Sequence, residues 1–246
     1  VEAFSIVCAD TLTTPAFLDG SHLRKFDIVL ANPPYSIKTW NREAFANDKY
    51  GRNMWGTPPQ GRADYAFFQH IVASMDEETG RCAILLPHGV LFRKEELDLR
   101  EKLVRSDLVE CVIGLGPNLF FNSPMEACII ICRTKKQEDR KGKMLLINAL
   151  KEVTRKNAES FLEAHHIDKI LSAYNRYDNV EDFAKVVTIS EVGDKNFSLN
   201  ISSYINVLNV DNSTDSLTFD SAYDKWKSVS SELHKSFNLL NDLICN

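Results

Sequence analysis

Asn32, Pro33, Pro34 and Tyr35 are the residues of this chain whose types and order could do chemistry, and they close the run FDIVLANPPYS, Phe26 to Ser36. An apolar, strand-like run that ends this way can continue as neither strand nor helix, because each proline fixes φ and removes a backbone donor. The carbonyls left without a ladder are free to accept from a ligand. The chemistry that suits such a set is methylation of a planar exocyclic amine, a weak nucleophile because its lone pair is delocalised into the ring. If the Asn32 side-chain oxygen and the Pro33 carbonyl accepted the two amine hydrogens, the lone pair would be localised toward an electrophile. Tyr35 would then stack on the face of a base held outside its helix. Asn32, Pro33, Pro34 and Tyr35 are therefore the expected catalytic residues, with Tyr35 also contacting substrate. A rigid turn would account for the two prolines, but not for an amide and a ring on either side of them.

The elements that must position this loop read as an α/β domain, in which short apolar runs alternate with amphipathic helical patterns. The expected strands are Phe4 to Ala9, Phe26 to Ala31, Arg81 to Leu86, Leu108 to Leu115, Ala127 to Cys132 and Met144 to Asn148. Their nearly continuous apolar content fits strands covered on both faces. Asn32 then sits at the C-terminal end of a buried strand, where open parallel sheets place their ligand crevice. Ala63 to Met75 reads as a helix with Tyr65, Phe68, Ile71, Val72 and Met75 on one face, and Lys94 to Ser106 as a second with Leu97, Leu99 and Leu103 inward. The charge run Arg133 to Lys143 reads as a solvated hairpin tip, and Lys151 to Arg176 as helical. His165 and His166 are adjacent there and point apart on a helix, so no metal pair is expected. The polar stretch Asn209 to Ser216 reads as a linker. Beyond it, Trp226, Val229, Leu233, Phe237, Leu240 and Ile244 form a stripe at helical spacing, which divides the chain into residues 1–208 and 209–246.

With 246 residues, 44% of them hydrophobic, the chain can bury one substantial core. Its formal net charge of -5 is not the footprint of a protein that holds nucleic acid by bulk electrostatics, so a polyanionic substrate calls for a partner. The six cysteines, Cys8, Cys82, Cys111, Cys128, Cys132 and Cys245, form no Cys-x-x-Cys pair and read as buried reduced thiols of a cytoplasmic protein. No apolar run approaches the ~20 residues that span a bilayer. The first residue is Val1, and the chain is already strand-like by Phe4, so it reads as a piece of something longer.

From about Ile6 to Tyr204 the sequence resembles the N6-adenine DNA methyltransferases, and specifically the modification subunit of type I restriction-modification systems. FDIVLANPPYS resembles that family's motif IV, GRADYAFFQHIVASM its following helix, and GRCAILLPHGVLFR its next strand and loop. IGLGPNLFFNSPMEACIIIC resembles motif VIII with its hairpin strand, and NFSLNISSYI the close of the catalytic domain. The resemblance implies a Rossmann-like sheet that uses S-adenosylmethionine, here N-terminally truncated and carrying a helical C-terminal extension. By matching position, Asp10 at the end of FSIVCAD is the expected contact to the adenine ring of the cofactor. Phe120 is the expected motif VIII aromatic on the flipped base, with Phe121 as its competitor. The implied partners are double-stranded DNA and the specificity and restriction subunits of a type I complex.

The departure from the family pattern lies at the cofactor. No glycine-rich turn precedes Asp10, since all 10 glycines lie downstream of it. The chain alone is thus expected to bind S-adenosylmethionine weakly, to be inactive by itself, and to carry an open sheet edge beside Phe26 to Ala31. Two further readings share some of these features. A glutamine methyltransferase acting on a protein also cradles a planar amide in an Asn-Pro-Pro-Tyr loop, and a non-catalytic assembly module would use the C-terminal helix to dock a specificity subunit.

Overall fold

The computed structural model describes residues 4–120, 125–156, 159–205 and, further along, 223, 226–227 and 229–231. Contacts divide the chain into two units, Val1–Val207 and Leu208–Asn246. In the second, the described residues are helical, with Trp226 and Val229 exposed and the rings of Tyr223 and Trp226 5.8 Å apart. The Asn209 to Ser216 linker and stripe positions Leu233, Phe237, Leu240 and Ile244 lie outside the described residues.

The first unit is built on a mixed sheet. A short hairpin, β1 (Leu18–Asp19) and β2 (His22–Leu23), leads into β3 (Ile28–Ala31), after which α1 (Arg42–Ala46) and α2 (Asp64–Ala73) precede β4 (Arg81–Pro87). Two 3-10 turns, His88–Leu91 and Lys94–Glu96, run into α3 (Leu97–Arg105), followed by β5 (Val109–Leu115), β6 (Ala127–Arg133) and β7 (Lys143–Ala149). The hairpin of β8 (Thr154–Lys156) and β9 (Glu159–Phe161), then α4 (Ala164–Arg176), β10 (Ala184–Thr188) and α5 (Ile189–Asp194), complete the unit. The strand order is β10-β7-β5-β6-β4-β3. β3 runs parallel to β4, and β5 to β7, while β6 and β10 run antiparallel to their neighbours. With β6 reversed between them, β4 and β5 point the same way as β3 and β7, so these four strands end on one side of the sheet.

The continuous apolar runs became strands because both faces of the sheet are covered over β5 and β7. On one face, Tyr65 and Phe68 of α2, Leu99 and Leu103 of α3, and Leu199 to Ile205 pack against Ile84, Val112, Ile130 and Leu146. On the other, Ile170 and Ala173 of α4 and Phe183 close over Cys111, Ile113, Leu145 and Ile147. β3 is the edge strand among the described residues, and there Ile28 and Leu30 stay 53% and 77% exposed. Gly80, which opens the turn into β4, has no space for a side chain, since an added Cβ would sit 2.3 Å from the Asp76 carbonyl.

Several expectations are corrected. Phe4 to Ala9 forms no strand, and Phe4, Ile6 and Val7 are exposed, as is Cys8, whereas Cys82, Cys111, Cys128 and Cys132 are buried. An apolar run becomes a strand only where a neighbouring backbone takes up its hydrogen bonds. The run Arg133 to Lys143 is not a hairpin tip, because β6 and β7 do not pair and the segment crosses over β5. Its charges are partly buried. Lys136 donates to Asp107 at 2.6 Å, and Arg140 reaches Glu110 at 3.1 Å. Glu110 itself sits at a β-bulge of β5 and also binds Arg133 and Tyr174, which offsets the cost of a carboxylate inside an apolar strand. Among the described residues from Lys151 to Arg176, only Ala164–Arg176 is helical, because Thr154–Lys156 and Glu159–Phe161 pair as β8 and β9. His166 caps that helix, its Nδ1 accepting the Glu163 N–H at 3.1 Å, and its ring lies 3.9 Å from that of His165, so the two side chains do not point apart as expected.

Candidate functional site

At Ala31 the chain leaves β3, and the next four residues project from the C-terminal side of the sheet. Asn32 is exposed and its side-chain amide makes no hydrogen bond with the described residues, while Pro33 is buried beneath it. The Tyr35 ring is half-buried. Its hydroxyl is enclosed without a hydrogen-bond partner, and burial, aided by the nearby Cys128 and Asp64, pushes its pKa up to about 12. The phenol is therefore neutral at all ordinary pH values.

The loop is fixed from behind. Ser36 adopts φ 50°, a left-handed conformation that costs a non-glycine residue about 1–2 kcal/mol. Its N–H donates to Asp64 Oδ1 at 2.7 Å. Asp64 is the first residue of α2, is 1% exposed, and accepts from Arg93 Nη1 at 2.8 Å. The Arg93 guanidinium lies over Gly89, where an added Cβ would stand 2.6 Å from Nε, so a side chain there would displace the guanidinium from its place beside Asp64. Arg93 is also 3.6 Å from Glu96, which is fully buried with neither carboxylate oxygen hydrogen-bonded.

Burial outweighs Arg93 at Glu96 and pushes its pKa up to about 7 from the ordinary 4.5. An acid whose folded pKa is raised contributes stability that is complete below the unfolded pKa and is lost as pH rises through the folded one. The Glu96 contribution to stability is thus expected to fall between about pH 4.5 and pH 7 by on the order of 3 kcal/mol, while the lowered His70 acts in the opposite direction over nearly the same window. Glu96→Gln should flatten that slope, and urea denaturation at pH 5 and pH 8 reads it. Parallel curves for the two proteins would show that Glu96 is solvated.

Beside the loop lies a cavity of about 460 Å³ whose lining includes Ala9, Thr11, Phe26, Asn32, Pro34 and His70. Asp10, the expected contact to the cofactor's adenine ring, is not itself in the lining, but both its neighbours, Ala9 and Thr11, line the cavity. Its carboxylate closes its own turn, accepting from the Leu12 N–H at 3.0 Å and the Thr13 hydroxyl at 2.7 Å, bonds that hold its pKa below the usual range. Arg52, missed from the sequence, clamps this turn. It is 2% exposed, donates to the carbonyls of Thr11 at 2.9 Å and Leu12 at 2.8 Å, and forks onto Asp48. Its Nη1 is also 3.4 Å from His70 Nδ1. Because arginine only donates, that nitrogen must accept and the ring proton sits on Nε2. Burial, then the Arg52 charge, lowers His70 to about 4, so the ring is neutral at pH 7.

The structure thus brings Asn32, Pro33, Pro34 and the Asp10 turn around one cavity, with Tyr35 beside it. Phe120 is half-buried against the core on the α4 side of the sheet, and Phe121 lies outside the described residues. Asp64 and Arg93 were missed as well. The signal available for Asp64 was an acidic residue opening an otherwise apolar helix, a position where side chains often tie down an incoming loop.

A sequence model of the family N-6 DNA Methylase matches residues 1–213. The type I restriction enzyme MjaVIII methylase subunit of Methanocaldococcus jannaschii is 32% identical over 96% of this chain and 41% of its own. The HindI methylase subunit of Haemophilus influenzae is 33% identical over 80% of this chain and 44% of its own. Among solved structures, the methyltransferase subunit of the type I restriction-modification system from Streptococcus thermophilus superposes with a TM-score of 0.72 at 33% identity, covering 80% of this chain and 42% of that one. The chain spans about two-fifths of the length of these relatives.

Proposed function

The chain belongs to the N-6 DNA methylase family, and from that premise we propose that it forms the target-base side of a type I modification subunit, which transfers a methyl group from S-adenosylmethionine to adenine N6 in double-stranded DNA. The observation that carries the reading is the unbonded Asn32 amide at the end of β3, at the rim of the cavity that the Asp10 turn shares. In this reading Asn32 Oδ1 and the Pro33 carbonyl each accept one hydrogen of the adenine amine. The nitrogen lone pair then turns out of the ring plane, toward the methyl donor. Pro33 and Pro34 hold the two acceptors in place without competing donors. Once the methyl bond forms, the amine proton leaves to solvent.

The cavity fits the adenosine end of S-adenosylmethionine, with apolar walls at Phe26 and Pro34 and a neutral ring at His70. When bound, that cofactor would supply the methyl group from its sulfonium sulfur, which would leave with the bonding electron pair as a neutral thioether. No glycine precedes Gly20, so a glycine-rich turn before Asp10 to receive the cofactor carboxylate is not among these residues. With a net charge of -5, the chain relies on partner subunits to hold duplex DNA, a specificity subunit to read its sequence and a restriction subunit to act on unmodified sites. Phe120 and Phe121 remain the two proposed aromatic contacts to the base.

The test is methylation by the natural full-length polypeptide together with its DNA-reading partner, offered adenine-containing duplexes and, separately, glutamine-containing protein substrates. N6-methyladenine as the product supports the reading, and methylglutamine alone overturns it. Tyr35→Ala should weaken retention of the flipped base by about 1–3 kcal/mol, whereas Tyr35→Phe, which removes only the unpartnered hydroxyl, should retain it. A 2-aminopurine at the target position reports both. Equal fluorescence for wild type and the Ala variant would count against stacking.

A further inference from the structure

We infer that Asp64 and Arg93 are positioning residues that set the conformation of the Asn32–Tyr35 loop through the Ser36 amide. The functional half of this inference rests on the reading above; the structural half does not. Pro33 and Pro34 fix two φ angles of the loop by their rings. The bond from Ser36 N–H to Asp64 Oδ1, 2.7 Å, fixes the peptide plane joining Tyr35 to Ser36. Between them these constraints leave the loop few free torsions, and they set the direction in which the Tyr35 side chain leaves the backbone.

The bond is also what a left-handed Ser36 requires, since a non-glycine residue stays at φ 50° only where its surroundings over-determine it. The Ser36 hydroxyl adds a longer contact to Asp64 Oδ2 at 3.4 Å. A carboxylate that is 1% exposed is a costly way to pack a loop, and an apolar side chain would fill the space better. What Asp64 provides is direction, as it accepts from Ser36 with one oxygen and from Arg93 with the other. Arg93 is seated in its turn. Gly89 leaves room for its guanidinium, and its carbonyl accepts from the buried Arg100 at 2.9 Å, which also binds the Phe197 carbonyl at 2.7 Å. The loop at the sheet end is therefore tied to the start of α2, the turn after β4 and the chain near Phe197.

Hydrogen exchange followed amide by amide in the 246-residue chain tests the anchoring. Asp64→Ala should speed exchange at Ser36 at least ten-fold beyond any change in the amides of β4 and α2. Ser36→Gly, which keeps the N–H and its acceptor, should preserve that protection. A uniform rise across β4, α2 and Ser36, or no change at Ser36, would overturn the anchoring, because Asp64 would then be ordinary packing. The catalytic consequence is read in the natural full-length polypeptide. Asp64→Asn should lower kcat for adenine methylation at least ten-fold with KM for DNA and cofactor unchanged, and Arg93→Lys should recover most of the activity that Arg93→Ala loses. Equal kcat in wild type and the Asp64→Asn variant overturns the positioning role. A wild type that methylates no adenine removes the proposed function, and the exchange data then decide the anchoring alone.

Discussion

Asn32→Ala is expected to lower single-turnover methyl transfer by about 10²–10³-fold, the size of the loss when one preorganised hydrogen-bonding group is removed from a reacting centre. The Asn32 side chain is exposed and unbonded, so its removal leaves no buried group unpaired and should cost almost no stability. The interaction it makes is strongest as the amine lone pair localises. Binding of DNA and cofactor should therefore stay within a few-fold, a pattern that marks a contact made in the transition state. Unchanged single-turnover rates would defeat the assignment of the loop to the chemistry.

Arg52→Ala is expected to destabilise the fold by about 3–5 kcal/mol, the usual cost of stranding one partner of a buried ion pair. The Asp48 side chain is 2% exposed and takes both side-chain and backbone bonds from Arg52, while the carbonyls of Thr11 and Leu12 lose their donors. Burial alone would raise the Asp48 pKa, but Arg52 holds it below the usual carboxylate value. A depressed folded pKa contributes stability above the unfolded value that is lost as pH falls through the folded one. Replacing Arg52 should accordingly abolish part of the acid sensitivity near pH 4 as well as lower the urea midpoint at pH 7. A loss under about 1 kcal/mol would mean that water already reaches the pair.

The central sheet was legible because β4, β5, β6 and β7 are continuous apolar runs, which burial on both faces requires of β5 and β7, while β4 and β6 bury one face and leave the other half-exposed. Phe4 to Ala9 has the same composition but finds no partner strand, so composition alone could not separate it from the others. β10 was illegible for the opposite reason, since Lys185 interrupts its apolar pattern and its place is set by pairing with Leu146. In the site, Asn32 to Tyr35 stood out because two prolines break a strand in a way that needs explaining. Asp64 and Arg93 did not, because the partners that fix the loop lie 28 and 29 positions away; Arg52 has Asp48 four positions before it, but the Thr11 carbonyl that gives it its place lies 41 positions away. Glu110 and Arg140 were hidden the same way, one within an apolar run and the other within a charged one.

The loop that holds Asn32 grows directly from the strand at the edge of the sheet among the described residues, and this couples the chain's solution behaviour to access to the loop. Ile28 and Leu30 leave one face of β3 uncovered, its outer rim has no neighbour among the described residues, and a strand that paired along it would end its ladder beside Asn32. Self-association of the 246-residue chain at this rim would then register as a sedimentation coefficient that rises with protein concentration, with dilution restoring the monomer.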